Sequence, residues 1–206
     1  DFNFATPQAA YALVAYGRLL EGKTFLYNMS DIGQLEVIQK EVTLSDKLNL
    51  ALEKVDQYIY SNTSFEKAYK SGDGRDWNVL VLARGGREIP EIYGKSIGEY
   101  VFPYNKEQLE SKISKATEYE RMTIGLTAAG CDASSVVGHN LVEHIYNHPK
   151  LETQGINALI YGLIALDTKP YTVPTDANYT REKIVELLVS SQLADGSFSY
   201  SPKGSG

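Results

Sequence analysis

The stretch IGLTAA at residues 124–129 decides the fold class of this chain. It carries no charged side chain, and a helix without a polar face is typical of a buried position. Its Gly and Ala residues let neighbouring helices approach closely. Similar phrases are YALVAY at 11–16, VLVLAR at 79–84 and YGLIAL at 161–166. These phrases predict an inner layer of helices, in which Leu13, Leu82, Leu126 and Leu163 are nearly fully buried.

Helices of a second type lie between these phrases. Residues 46–60 and 180–192 each place their apolar side chains on one stripe and their charged side chains on the other face. The stripe residues are Leu48, Leu52, Val55 and Ile59 in the first segment and Ile184, Leu187 and Leu188 in the second. A one-sided helix packs its stripe on a core and exposes the rest. These segments therefore predict an outer layer.

Local signals indicate where some helices begin and end. Thr117 and Glu120 have the spacing of a capping box, in which the two side chains satisfy backbone groups of the first turn. Asp76 before Trp77 has the character of an N-cap. Gly130 and Pro149 indicate helix ends.

The spacing of the inner phrases suggests a helix-pair repeat. Leu82 and Leu126 are 44 residues apart, and Leu126 and Leu163 are 37 residues apart, close to the roughly 40-residue period of such repeats. Leu13 precedes Leu82 by 69 residues. The longer gap predicts a linker that interrupts the series.

Composition limits the classes of partner. The formal net charge is −6 and the basic residues are scattered, so nucleic acid is not an expected partner. No apolar run approaches the roughly 20 residues of a membrane span. Cys131 is the only cysteine, which excludes an intramolecular disulfide and a multi-cysteine zinc site.

The segment QLADGSF at residues 192–198 resembles the QxxDGxW/F signature of squalene-cyclase and prenyltransferase repeats. The phrases around Trp77, at 117–130 and at 154–167 follow in an order similar to that of the prenyltransferase-like domains of Gram-positive cell-surface proteins. The resemblance implies an all-α fold, an α/α-toroid of inner and outer helices. Residues 46–206 would be its N-terminal part, 33–45 a linker, and 1–32 a hairpin resembling the last repeat.

A closed toroid of this family needs roughly six helix pairs, which is more than this chain holds, so the toroid is predicted to be incomplete. The apolar flank of its terminal inner helix must then be covered. We expect the segment from Asp1 to Asp31 to pack beside residues 77–84 of its own chain, or in the equivalent position on another chain. The second arrangement would be a swapped or tandem toroid contact with the linker as hinge.

Polar and aromatic side chains cluster at the starts of the inner helices, and in a toroid these ends surround one mouth of the central cavity. We expect a ligand to bind there. The alternative is that these side chains cap helices and satisfy core groups. The candidate ligand-binding residues are Trp77, Asn78, Glu118, Tyr119, Arg121, Gln154, Asn157 and Tyr161.

No metal, no cofactor and no catalytic residue are predicted. His144 and His148 would share one helical face, a spacing that can bind a metal, but helix capping explains two histidines before Pro149 as well. The Asp-x-Cys zinc pattern of the prenyltransferases and the Asp-rich motif of the cyclases are not found in the sequence. Cys131 is expected to be an ordinary thiol, because no histidine lies near it in sequence.

The expected function is therefore a non-catalytic recognition or scaffolding module of a bacterial cell-surface or extracellular protein. Its partner would be a small molecule, a glycan or a protein, bound at the inner-helix mouth. The alternative is a terpenoid-cyclase or prenyltransferase-like enzyme whose catalytic motif lies outside this chain. An Asp-rich motif or a deep closed apolar cavity would favour the enzyme.

Overall fold

A computed structural model describes residues 2–22, 43–72 and 74–198. These residues form helices, turns and loops, and none of them belongs to a β-strand. The prediction of an all-α protein is confirmed. Two isolated antiparallel bridges, Val136 with His139 and Gln192 with Phe198, close short turns.

Nine α-helices and one 3₁₀ turn, Leu151–Thr153, occur in the described residues. The helices are α1 Phe2–Leu20, α2 Thr43–Asn62, α3 Arg75–Arg84, α4 Ile92–Val101, α5 Lys106–Lys112, α6 Ala116–Ala128, α7 Glu143–Tyr146, α8 Ile156–Asp167 and α9 Arg181–Ser190. The chain divides into two compact units, and the division passes through α3 between Asp76 and Trp77.

The smaller unit comprises Asp1–Ser64 and Trp77–Ile89. Within it α1 packs on α2. Arg18 Nη1 donates a hydrogen bond to the carbonyl oxygen of Arg84 at 3.0 Å, so α1 also contacts the C-terminal end of α3. This is the placement expected for the segment from Asp1 to Asp31 in its own chain, as far as α1 describes that segment.

The larger unit comprises Phe65–Asp76 and Pro90–Gly206. Within it α6 packs against α8, and α9 also packs on α8. Leu126 of α6 and Leu166 of α8 are buried, as is Ile184 on the predicted stripe of α9. Apolar burial of this kind is the main favourable contribution to folding.

The burial predicted for the inner leucines is right for Leu82 and Leu126 and wrong for Leu13 and Leu163, which are only partly buried. In α8 the buried residues recur at one-turn intervals, from Ala158 through Gly162 to Leu166, so this helix buries one stripe. The apolar residues on every face of α8 therefore do not make every face of this helix buried.

Neither of the predicted N-terminal caps is confirmed, and a cap that was not predicted is present. Thr180 is the N-cap of α9 and accepts a hydrogen bond from the Lys183 amide. The predicted capping box at Thr117 is wrong, because α6 begins at Ala116 after Lys115, and Glu120 is fully buried. Asp76 is not an N-cap either, because it lies in the first turn of α3.

A tight turn follows α9. The Leu193 amide donates to the carbonyl of Ser197 at 2.8 Å, and Asp195 Oδ1 accepts from the Ser197 amide at 3.0 Å. Gly196 has φ +85°, a conformation that glycine adopts without steric cost. The aspartate and glycine of the QLADGSF segment therefore form its turn.

The predicted linker lies mostly outside the described residues, because 23–42 are not described; residues 43–45 form the first turn of α2. Within the described part of the chain, no helix combines the length and apolarity of a membrane span. The toroid stays a prediction.

Candidate functional site

A pocket of about 180 Å³ lies in the larger unit at the N-terminal ends of α6 and α8. It contains two of the predicted ligand-binding residues, Tyr119 and Gln154. We call it the His144 pocket. Its walls are Glu110, Ile113, Ser114, Tyr119, His144, His148, Pro149, Lys150 and Gln154.

Gln154 builds one edge of the His144 pocket. Its Nε2 donates to the carbonyl of Ser114 at 2.9 Å, and its Oε1 accepts from the Ala116 amide at 2.8 Å. The first amides of a helix have no partner within the helix and need one from elsewhere. Gln154 therefore fixes the loop that enters α6.

Tyr119 and His144 form the inner wall. Their rings stack with centroids 4.6 Å apart and an interplanar angle of 15°. The Tyr119 hydroxyl donates to the carbonyl of Leu109 at 3.2 Å, which ties α6 to α5. Burial raises the pKa of Tyr119, so this hydroxyl keeps its proton.

His144 carries the polar atom that stands out in this pocket. Its side chain is 3% exposed, and among the described residues its Nδ1 has no hydrogen-bond partner. Glu110 Oε1 is 3.3 Å from that nitrogen. Burial lowers the pKa of His144, and the charge of Glu110 opposes this only in part. The imidazole is therefore neutral at pH 7.

His148 is also buried, but its ring nitrogens are engaged. Its Nδ1 accepts from the Lys150 amide at 3.2 Å, and Gln154 Nε2 lies 3.5 Å from its Nε2. Burial lowers the pKa of His148 as well. The predicted shared helical face of His144 and His148 is wrong, because α7 ends at Tyr146. The two rings nevertheless line one pocket.

Nothing in the described part of the chain groups three or more His, Cys, Asp or Glu side chains in an arrangement suited to a metal ion.

Arg121 and Glu118 lie in a separate polar network of the larger unit. Arg121 Nε donates to Asp76 Oδ2 at 2.8 Å, and Arg121 Nη2 donates to Glu118. The hydroxyls of Tyr69 and Tyr93 donate to the same Asp76 carboxylate at 2.8 and 2.7 Å. Burial alone would lower the pKa of Arg121, but the charge of Asp76 raises it. Within the larger unit, this network ties Asp76 to α4 and α6.

The remaining predicted site residues lie elsewhere. Asn78 belongs to the smaller unit, where its Nδ2 donates to Thr63 Oγ1 at 3.1 Å, and Trp77 belongs to the same unit. Asn157 and Tyr161 are on α8 but do not line the His144 pocket. The pocket thus joins Tyr119 and Gln154 to residues that were not predicted as ligand contacts.

Sequence reasoning missed Glu110 and Glu120. Glu110 has no local signal, because only the fold brings α5 to His144. Glu120 matched a capping pattern, yet within the described residues neither of its carboxyl oxygens has a hydrogen-bond partner. Burial raises the pKa of Glu120 well above its usual range, which favours the protonated, uncharged carboxyl.

A wider groove of about 440 Å³ is lined on its apolar side by Leu126, Val136 and Phe102. Cys131 contributes to its wall and is partly buried. Burial raises the pKa of the Cys131 thiol, which favours the protonated form. This agrees with the expectation of an ordinary thiol.

The chain was also compared with known proteins. No protein-family model matches it, and neither the curated proteins nor the solved structures contain a significant match. The resemblance to the prenyltransferase-like toroids therefore stays a prediction that depends on the phrases quoted from the sequence.

Proposed function

We propose that this chain is a non-catalytic recognition or scaffolding module that binds its ligand in the His144 pocket. The observation that supports the proposal is the imidazole nitrogen Nδ1 of His144, which is buried at the pocket without a hydrogen-bond partner among the described residues. Buried polar atoms in folded proteins are nearly always hydrogen-bonded. A bound ligand group would supply the missing interaction.

The other polar groups of the pocket support binding because they are already fixed. Tyr119, His148 and Gln154 use their side-chain atoms on backbone groups of the surrounding loops. Side chains that are held in this way lose little conformational entropy when a ligand binds. The pocket is therefore preorganised around the one unsatisfied nitrogen.

The finer parts of the proposal depend on the sequence resemblance. They are the α/α-toroid, the location at a bacterial cell surface or outside the cell, and a small molecule, glycan or protein as partner. The alternative of a cyclase- or prenyltransferase-like enzyme also depends on the sequence resemblance. Its catalytic motif would lie outside this chain.

The proposal is tested by titrating isotope-labelled protein with free amino acids, dipeptides and monosaccharides while recording its NMR spectrum. We expect a ligand class that shifts the resonances of Tyr119, His144 and Gln154. Ser114→Tyr should abolish these shifts, because Ser114 is an exposed residue of the pocket wall and a ring there fills the space.

Ser111→Tyr is the matched control, because Ser111 is exposed on α5 and does not line the pocket. Its titration should resemble that of the unmodified chain. Binding that maps to another surface, or that survives Ser114→Tyr unchanged, would contradict the proposal.

A further inference from the structure

The His144 pocket places a carboxylate oxygen and an imidazole nitrogen side by side. Glu110 Oε1 and His144 Nδ1 are 3.3 Å apart, but no hydrogen bond joins them or reaches this nitrogen from another described residue. The Glu110 side chain is 41% exposed, so its carboxylate is accessible to solvent. A neutral imidazole with its proton on Nε2 offers a lone pair at Nδ1.

The charged groups around His144 shift its pKa in both directions, and burial favours the neutral form. Glu110 and Glu143 would raise its pKa, whereas Lys106 and His139 lower it. The charge of Glu143 is partly satisfied, because Lys106 Nζ donates to Glu143 Oε1 at 2.7 Å. Burial is the largest effect, and it favours a ring without charge.

The pocket has the size and walls of a side-chain site. Its volume of about 180 Å³ far exceeds the roughly 30 Å³ that one water molecule occupies in the liquid. Ile113, Pro149 and the Tyr119 ring supply apolar surface around the two acceptors. Alkyl amines suit such a site, because their methylene groups pack on apolar walls while the charged end meets acceptors.

We propose that the His144 pocket binds a primary ammonium group, which donates hydrogen bonds to His144 Nδ1 and to the Glu110 carboxylate. The ammonium is that of a lysine side chain or of a peptide N-terminus. This inference rests on the proposed function, because it assigns a chemical class to the ligand of the same pocket.

The first test titrates the chain with Nα-acetyl-lysine amide, with glycylglycine amide and with Nα-acetyl-norleucine amide, followed by NMR. The first two probes present the side-chain and N-terminal amines, and the third keeps the alkyl chain without an amine. Binding of either amine, with no binding of norleucine, supports the proposal and identifies the source. Equal binding of Nα-acetyl-norleucine amide overturns the proposal. Tighter binding of acetate, titrated in the same way, than of either amine overturns it as well.

Substitutions at exposed positions sharpen the test. Glu110→Gln should weaken binding of the amine by about tenfold or more, because it removes a charged acceptor. Lys150→Gln should strengthen binding, since Lys150 is a like charge on the pocket wall. The controls Glu107→Gln and Lys112→Gln make the same charge changes at exposed sites of α5 and should leave binding nearly unchanged.

Two further outcomes separate this inference from the proposed function. The ¹⁵N shift of His144 Nδ1 should show an unprotonated nitrogen at pH 7, and amine binding should weaken as the pH falls below the lowered pKa of His144. A protonated Nδ1 at pH 7 overturns the ammonium assignment.

If another ligand class binds and is blocked by Ser114→Tyr, the ammonium assignment fails while the recognition pocket stands. If no ligand class binds, both fail.

Discussion

The Glu120 carboxyl group of α6 lies against Gly162 of α8: its Oε1 is 3.4 Å from the place that a β-carbon on residue 162 would occupy. Glu120 is 0% exposed, and the described residues provide no hydrogen-bond partner for either oxygen. The absence of a side chain on Gly162 makes room for a neutral acid between two packed helices.

We predict that Glu120 makes the chain less stable as the pH rises. A glutamate in the unfolded chain has a pKa of about 4.3, whereas burial raises the pKa of Glu120 in the folded chain. Between these two values the folded chain binds more protons, so the free energy of unfolding falls with rising pH, by at most about 1.4 kcal/mol per pH unit for one group.

Urea unfolding of Glu120→Gln, measured from pH 5 to pH 8, checks this prediction. The variant should lose the part of the pH dependence that Glu120 causes. Glu107→Gln is the control at an exposed position and should keep the original slope. Identical slopes in all three proteins would show that Glu120 ionises in the folded chain as it does in the unfolded one.

Glu120 also shows where sequence reasoning stops. Thr117 and Glu120 match a local capping pattern. The Ala116 amide instead donates its hydrogen bond to Gln154, which lies 38 residues after Ala116 in the sequence. Local patterns predicted helical phrases at 79–84, 124–129 and 161–166, and all three lie in helices or at a helix end, because apolar composition and turn residues act over a few residues. Which side of α8 is buried depends on its neighbours, so Leu163 was misplaced.

The same reason explains the candidate site. Tyr119 and Gln154 were predicted from their positions at helix starts, and the pocket does contain them. Glu110 and His144 meet only because α5 and α7 pack on α6, which is a relation between distant parts of the chain. The Asp76 network was missed for the same reason, because its partners are far apart in the sequence, from Tyr69 to Arg121.

The buried ion pair of Asp76 with Arg121 leads to a second prediction. Asp76→Ala should lower the free energy of unfolding by about 3–5 kcal/mol, because it removes a buried carboxylate that pairs with Arg121 and accepts from two tyrosine hydroxyls, and leaves the Arg121 charge with the Glu118 contact. The Arg121 side chain is 12% exposed and that of Asp76 is 1% exposed, so solvent cannot replace the lost carboxylate.

Asp167→Ala is the control for that measurement, which urea unfolding provides. Asp167 pairs with Arg181 at 2.6 Å in the same unit, but its side chain is 56% exposed. Exposed pairs contribute about 0–1 kcal/mol. Similar losses in both variants would mean that burial of the Asp76 pair has no special energetic consequence.

Two helical glycines should respond in opposite ways to the same substitution. A β-carbon on Gly125 of α6 would overlap the Tyr93 hydroxyl oxygen and lie 3.1 Å from the Asp76 β-carbon. Gly125→Ala should therefore destabilise the chain by about 1–3 kcal/mol, as overpacking does.

Gly98→Ala in α4 is its counterpart. The nearest atom to a β-carbon there is Val137 Cγ1 at 3.6 Å, which is an ordinary contact. Alanine in a helix interior is favoured over glycine by about 0.5–1 kcal/mol, so this variant should be more stable. Thermal unfolding distinguishes the two directions, and a loss in both variants would contradict the contact geometry around Gly98.

The turn at Val137 and Gly138 leads to the last prediction. The amide of Val136 donates to the His139 carbonyl at 2.8 Å and the amide of His139 donates back at 2.9 Å, so two residues form the turn. Their φ angles are +44° and +88°. Turns with positive φ at both positions favour Asn-Gly, because asparagine tolerates the left-handed region that a β-branched residue disfavours.

Val137→Asn should therefore raise the free energy of unfolding by about 1 kcal/mol, since an L-residue in the left-handed region costs about 1–2 kcal/mol and valine is 54% exposed in this turn. The matched control is Val185→Asn on α9, which is 45% exposed in a helix and should show no gain. Urea unfolding of the two variants measures the difference. Destabilisation by Val137→Asn would mean that the contacts of the valine side chain with the α4 side of the groove outweigh the backbone conformation.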